Sequence, residues 1–316
     1  METTPSPTAD QQVPQALIDH VYVKTDLEVN GEVREEVHGY DFNKGIDYEQ
    51  IFKSYRHTGF QATSLGQAID EINRMIKWRL SDDPIEEDET EEFLEEEARK
   101  NYRCTIYLGY TSNAASCGMR DYIRYLCEHK MISAIVTTTG GIEEDIMKTM
   151  APTYIGDFAL KGSELRSKGI NRIGNLLIPN NNYSLLEEWF LPLVKEMHKE
   201  QKEKGTIFSP SKIIRRIGEK INNKESIYYW CAKNDIPVYC PAFTDGALGD
   251  VVYFQTWREE GFIIDLVQDI KMLNDSALRS KKSGQIILGG GVIKHHINNA
   301  NLMRNGADFS VYINTA

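Results

Sequence analysis

The sequence predicts an α/β fold, a mostly parallel sheet with helices on both faces behind a helical lead-in. Short apolar runs recur from Arg103 onward, stretches with helical spacing separate them, and loops of small residues follow several of the runs. Strands alternating with helices are the pattern of βαβ units, whose crossovers cover both faces of a parallel sheet. With 316 residues, 41% hydrophobic and 26% charged, the chain can bury a sizeable core in one large domain or two modest ones.

Residues 1–39 read as a flexible extension with room for one short helix, because Met1 to Ala16 is polar and holds three of the ten prolines. Asp47 is placed to cap a first helix through Tyr55. Ser64 and Gln67 have capping-box spacing ahead of Leu65, Ile69, Ile72, Ile76 and Leu80, whose intervals of three or four make an amphipathic helix. Residues 82–97 then hold eleven acidic residues and no basic one, leaving 36 acids against 36 bases elsewhere and a net charge of −11 overall. Such a block reads as a solvated loop or helix face, with recruitment of a cationic small molecule or a basic protein as the alternative. Beyond it, Cys104 to Gly109 is a strand, followed by a loop and a helix over Met119 to His129. Ile132 to Thr137 is the next strand, leading through Gly140-Gly141 into a helix that opens with Glu143, Glu144 and Asp145. Further strands are expected at Ile173 to Ile178, Ile236 to Tyr239, Phe262 to Leu266, Gln285 to Leu288 and Phe309 to Ile313. Between them, Ser209-Pro210 supplies a helix cap and first residue.

Several function classes fall away on composition. The first residues contain no signal-peptide core, and no stretch approaches the roughly 18 uncharged apolar residues of a membrane span. Cys104, Cys117, Cys127, Cys231 and Cys240 are odd in number and lack CxxC spacing, which argues against a disulfide framework and a zinc site and points to a reducing, cytoplasmic compartment. A nucleic-acid binder needs a basic stripe, and none is present.

Open parallel sheets bind ligands beyond the carboxyl ends of their strands. The loops there are Thr111 to Ser116, Thr138 to Gly141 and the triple glycine Gly289 to Gly291. Small residues let backbone N–H groups approach a phosphate, and a following helix adds partial positive charge. None of the loops is a G-x-G-x-x-G or a P-loop, and each by itself is equally an ordinary tight turn; the three together favour a dinucleotide. Glu143, Glu144, Asp245 and Asp250 also follow strands. Acids there are either dipole partners and caps or partners for a cationic substrate and ribose hydroxyls. His295 and His296 are adjacent, point different ways on a helix and so make a poor metal clamp; one of them could serve as a general base or simply pack.

The strings TSNAASCGMRDYIRYL, VTTTGGIEEDIMK, APTYIGDF, GINRIGNLLIP, PAFTDGALGD and LGGGVIKHHINNANLMRNGAD, in this order over residues 40–316, resemble deoxyhypusine synthase. The resemblance implies a Rossmann-like NAD-binding domain over 40–316, a homotetramer with sites between subunits, and NAD-dependent transfer of the aminobutyl group of spermidine to a lysine of the eukaryotic translation factor 5A precursor. It places NAD contacts on Ser112, Asn113, Ser116, Thr138, Thr139, Gly140, Asp245, Gly290, Thr315 and Ala316. Polyamine contacts fall on Glu143, Glu144, Asp250 and His295, with Asn299 in support and His295 as the base. In the family a Trp-Gly-Lys segment follows the Asn-Thr-Ala that corresponds to Asn314-Thr315-Ala316, where this sequence ends. Without that lysine the butylimine lacks its carrier, and the chain as given is expected to be transfer-deficient. Homospermidine synthase and an inactive subunit that supports an active partner are the competing readings.

Overall fold

The computed structural model describes residues 28–29 and 31–315, in two units, 1–67 and 68–316. Most of the extension expected over 1–39 lies outside the described residues. In the first unit, β1 (Glu28–Val29) pairs antiparallel with β2 (Glu32–Val33). Asp47 caps α1 (Tyr48–Thr58) as expected, its carboxylate accepting from the Gln50 N–H at 3.1 Å. The next helix, α2 (Phe60–Lys77), begins four residues before the Ser64 box. The chain leaves α1 through Gly59, whose φ of +94° ends that helix, and Thr63 Oγ1 accepts the Gly59 N–H at 2.9 Å. Ser64 is therefore interior to a helix and caps nothing.

The second unit is built on a five-stranded sheet in the order β10–β9–β3–β4–β8, every pair parallel. Its strands are β3 (Thr105–Tyr110), β4 (Ala134–Thr137), β8 (Val238–Tyr239), β9 (Ser283–Leu288) and β10 (Phe309–Ile313). From β3 the chain winds outward through β4 to β8, then returns to the other side of β3 for β9 and β10. Strand order thus reverses at β3, and the carboxyl ends of β3, β4 and β9 frame the crevice where such sheets bind ligands. The crossovers are α4 (Ser112–Ser116) and α5 (Met119–Glu128) after β3, and α6 (Thr139–Met150) after β4. Then come α7 (Gly162–Ser167), α8 (Asn180–Lys204), α9 (Pro210–Ile221), α10 (Ile227–Lys233), α11 (Ala247–Thr256), α12 (Leu266–Arg279) and α13 (Val292–Leu302).

Alternation along β3 feeds two cores. Ile106, Leu108 and Tyr110 join Ile123, Ile142, Ile146 and Tyr228 on one face, while Tyr107 joins Leu273, Ala277, Ile293 and Ile297 on the other. Gly109 has a packing reason: a Cβ there would lie 2.8 Å from Ile297 Cδ1, so glycine lets α13 settle on the sheet.

Two strand expectations need correction. Ile173 to Ile178 is not one strand but a hairpin, β6 (Ile170–Ile173) and β7 (Leu176–Pro179), which with β5 (Tyr154–Ile155) forms a separate antiparallel sheet. Gly174, at φ +59°, and Asn175 make its two-residue turn. Phe262 to Leu266 forms only an isolated bridge from Ile264 to Phe208, because Asp265 caps α12 through the Val267 N–H at 2.9 Å. The acidic block is mostly exposed, as expected of a solvated face, but it is anchored at specific points. Arg99, in α3 (Glu96–Asn101), is 4% exposed and donates to the carbonyls of Leu80, Asp83 and Pro84 while pairing with Glu89 at 3.3 Å. Lys281 pairs with Glu86 and Glu89, and Lys282 with Asp83. These lysines immediately precede β9, so the block lies at the amino ends of the strands, across the roughly 20 Å length of a six-residue strand from the crevice.

Candidate functional site

The loops after the strands are fastened to one another. Beyond β3, the Thr111 N–H donates to the Leu288 carbonyl at 3.4 Å, and the Ser112 N–H donates to Thr138 Oγ1, the residue preceding α6, at 3.2 Å. A Cβ on Gly140 would lie 2.6 Å from the Ser112 Cβ, so only glycine allows the start of α6 to touch α4. After β8, Thr139 Oγ1 donates to the Ala242 carbonyl at 2.7 Å. After β9, the Gly289 N–H donates to the Ile313 carbonyl at 2.8 Å; Gly289 and Gly291 have φ of +98° and +64°, and space above Gly290 is open. Ser112, Asn113, Thr138, Thr139, Gly140 and Gly290 are therefore gathered at the strand-order reversal, beside the unsatisfied N–H groups at the start of α6. Ser116 is different: it is 2% exposed, and its hydroxyl donates to the Ser112 carbonyl at 3.3 Å. Thr315 is exposed beyond β10, and Ala316 lies outside the described residues.

The three successive acids of α6 sit one turn inside the helix, not at its start, and do three different things. Glu143 Oε2 accepts the Leu248 N–H at 3.2 Å, and a Cβ on Gly246 would lie 2.9 Å from that oxygen. Gly246 has no side chain to cap α11, so Glu143 caps it from a distance. Burial raises the Glu143 carboxyl, the Leu248 and Ala247 N–H groups lower it, and Asp250 and Asp245 raise it again. Glu144 is 3% exposed, and its Oε2 has no hydrogen-bond partner. Burial pushes its carboxyl up to about 7, with Lys148 pulling it down and Glu143 pushing it up. Asp145, fully buried, is structural: it accepts from Arg120 Nε at 2.7 Å, Ser226 Oγ at 2.6 Å and the Ile227 N–H at 3.1 Å, locking α5 and α10 to α6.

Two residues here escaped the sequence reading. Tyr183, on α8, has its hydroxyl pushed up to about 12 by burial, then by Glu144 and Glu143, which places it beside both carboxylates. Its distance along the chain gave no signal. Lys148 donates to the Ser116 carbonyl, and its i,i+4 spacing from Glu144 was a legible one.

Asp245 and Asp250 are exposed, Asp250 in the first turn of α11, and the charges of both reach Glu143. His295 and Asn299 are also exposed and share one face of α13 at i,i+4 spacing. Among the described residues no hydrogen bond or ion pair joins the side chains of Asp250, His295 or Asn299 to Glu143 or Glu144. His296 is half-buried, and burial lowers its pKa.

Residues 50–316 match the family model described as deoxyhypusine synthase. A relative from Drosophila melanogaster, provisionally named deoxyhypusine synthase, is 58% identical over 284 residues, which cover 89% of this chain and 76% of the relative. A homospermidine synthase from Senecio vulgaris is 50% identical over 285 residues, with 89% and 76% covered. The crystal structure of a provisionally assigned deoxyhypusine synthase from Entamoeba histolytica superposes with a TM-score of 0.67 at 40% identity, covering 89% of this chain and 88% of that one. The matched span takes in every strand of the parallel sheet and every loop that meets at its reversal point. On sequence and architecture together, the chain belongs to the deoxyhypusine synthase family, a family of transferases.

Proposed function

We propose that the chain carries out deoxyhypusine synthesis, the NAD-dependent transfer of the 4-aminobutyl group of spermidine to a lysine of the eukaryotic translation factor 5A precursor. One observation carries the reading most: Glu144, a buried carboxylate with an unpartnered oxygen, lies on the helix whose start joins the gathering of small-residue loops. Such an oxygen is costly unless a ligand satisfies it, and an ammonium is its natural partner.

NAD, when bound, supplies the acceptor for a hydride leaving the carbon next to the secondary amine of spermidine. Ser112, Asn113, Thr138, Thr139, Gly140, Gly290, Thr315 and Ala316 would hold it. Ser116 would act from beneath them, and Asp245 would accept the hydroxyls of a ribose. Glu144 and Asp250 pair with the amines of the polyamine, Glu143 holds Asp250 in place through the start of α11, and Asn299 supports. His295 takes the proton released as the hydride departs. An imine in water hydrolyses, so the site needs a cover. Tyr253 and Phe254 follow Asp250 on α11, with Trp257 just past its end, and are 54%, 44% and 78% exposed. This apolar strip supports closure by a second copy, within a homotetramer. No helix among the described residues is long and apolar enough to cross a membrane, and we place the activity in the cytoplasm, with no nucleic-acid partner.

We propose that residues 1–316 hold both ligand sites, and that a polypeptide also carrying the family's Trp-Gly-Lys segment forms a borohydride-trappable imine on its lysine. Equilibrium titration should show NAD binding that weakens about ten-fold or more in Asp245→Ala, since a carboxylate accepting two hydroxyls contributes roughly 1.5 to 3 kcal/mol. With the appended segment, the precursor protein should accept the butyl group in preference to putrescine. Preference for putrescine would favour homospermidine synthesis, and an extended protein that binds both ligands yet traps nothing would favour a supporting, inactive subunit.

A further inference from the structure

We infer that Lys148 is a positioning residue for the polyamine site: anchored on the Ser116 carbonyl, it presents a positive charge to Glu144 while leaving that carboxylate's open oxygen free. The inference rests on the polyamine reading of Glu144 and assigns a role to a residue outside it. Glu144 and Lys148 lie four residues apart on α6 with the glutamate nearer the amino end, the favourable order for such a pair. The lysine nonetheless forms no ion pair with Glu144; its ammonium is directed to a neutral acceptor, the carbonyl of Ser116 at the end of α4.

That placement matters chemically. A lysine bonded directly to Glu144 Oε2 would fill the acceptor that a substrate ammonium needs. Held on Ser116, it acts through space and leaves Oε2 without a partner. It also ties α4, which carries Ser112 and Asn113, to the helix that carries the carboxylates.

The surrounding charges leave this task to Lys148. From α5, Arg120 faces the lysine but is neutralised by Asp145 at 2.7 Å, and Asp121 faces it with opposite charge. From the turn after α4, Cys117 faces it as well. On the side of Glu144, Glu143 on α6 raises its pKa, and the Tyr183 hydroxyl on α8 feels the charge of both carboxylates. Burial works against charge on both partners, lowering Lys148 and raising Glu144. Lys148 is thus the cation that offsets burial and Glu143 at Glu144.

The test uses Lys148→Gln, which can still donate to the Ser116 carbonyl but carries no charge, and Lys148→Arg, which keeps the charge. The Glu144 carboxyl is followed by carbon NMR of glutamate-labelled, ligand-free protein, and spermidine affinity is measured with NAD present from pH 6 to 8.5. In the parent, affinity should fall as pH drops through the Glu144 titration, because the ammonium binds the ionised form. In Lys148→Gln the NMR midpoint should rise by about one pH unit, and spermidine affinity at pH 7.5 should fall about five- to ten-fold and recover toward pH 8.5. Lys148→Arg should restore both, and Lys148→Gln should add no further loss in a Glu144→Gln background. An unmoved NMR midpoint, or an affinity loss equal at every pH and persisting in that background, would overturn the inference and leave Lys148 a strut between α4 and α6. A midpoint that rises as expected while spermidine fails to bind the parent would support the charge role and count against the polyamine reading alone.

Discussion

Replacing Glu144 with glutamine should stabilise the ligand-free protein at pH 8 and change little at pH 5. Glu144 is 3% exposed, one of its oxygens is unpartnered, and burial pushes its carboxyl up to about 7 from an ordinary 4.5. Between those values the folded protein holds a proton that the unfolded chain has released. Stability therefore falls as pH rises from the unfolded value through the folded one, then levels off. The gap corresponds to about 3 kcal/mol at about 1.36 kcal/mol per pH unit, an upper figure because Lys148 and water relax around the charged form. Glutamine keeps the shape and does not ionise, so it lacks this loss. Denaturant unfolding at pH 5, 6, 7 and 8 is the measurement. The two proteins should agree within about 0.5 kcal/mol at pH 5, and the variant should lead by about 1 to 3 kcal/mol at pH 8. A difference that stays flat with pH, or favours the parent at pH 8, would show that the carboxylate is already satisfied without ligand. Its reading as an open acceptor for an ammonium would then be lost.

The neighbouring acid should behave in the opposite way. Asp145→Ala strands the Arg120 guanidinium and removes the acceptor for Ser226 and Ile227, so unfolding should show a loss of about 3 to 5 kcal/mol, and a loss under about 1 kcal/mol would deny it the anchoring role. Gly140→Ala brings a methyl to 2.6 Å from the Ser112 Cβ and should part α4 from α6, weakening NAD about ten-fold or more; unchanged NAD affinity would remove this junction from the cofactor site. Asp250→Asn should weaken spermidine about ten-fold or more and spare NAD, whereas equal loss of both ligands would mark Asp250 as a helix-start charge only.

The parallel sheet was legible because strands buried on both faces leave continuous apolar runs, as in Ile106 to Tyr110 and Ala134 to Val136, whereas the edge strand Phe309 to Ile313 shows itself by buried Phe309 and Val311 alternating with exposed Ser310 and Tyr312. The misreadings share a cause: a local pattern without knowledge of its partner. In Ile173 to Ile178 the apolar residues hid a turn that Gly174-Asn175 did announce. Phe262 and Ile264 pack on the core while Ile263 is 66% exposed, a strand-like alternation with no neighbouring strand to complete it. The acidic block is solvated as its charge pattern suggests, but its anchoring was not legible because the cations that hold it lie elsewhere, Arg99 just past its end and Lys281 far along the chain.

At the site the same limit is sharper. Glu143, Glu144 and Asp145 are chemically alike and adjacent, so composition and spacing assign all three the same pair of readings, cap or ligand contact. A helix turns about 100° per residue, and successive side chains meet different neighbours. One direction leads to the bare amino end of α11, one to the charge of Lys148 and the hydroxyl of Tyr183, and one to Arg120 and the start of α10. Each of these partners is set by a remote part of the sequence. Glu143 caps and Asp145 anchors; Glu144 Oε2 is given no donor. That buried acceptor left open is what distinguishes Glu144 from its neighbours and supports the proposal that it binds an ammonium, and it arises from what the fold withholds from Glu144, which no reading of α6 by itself could supply.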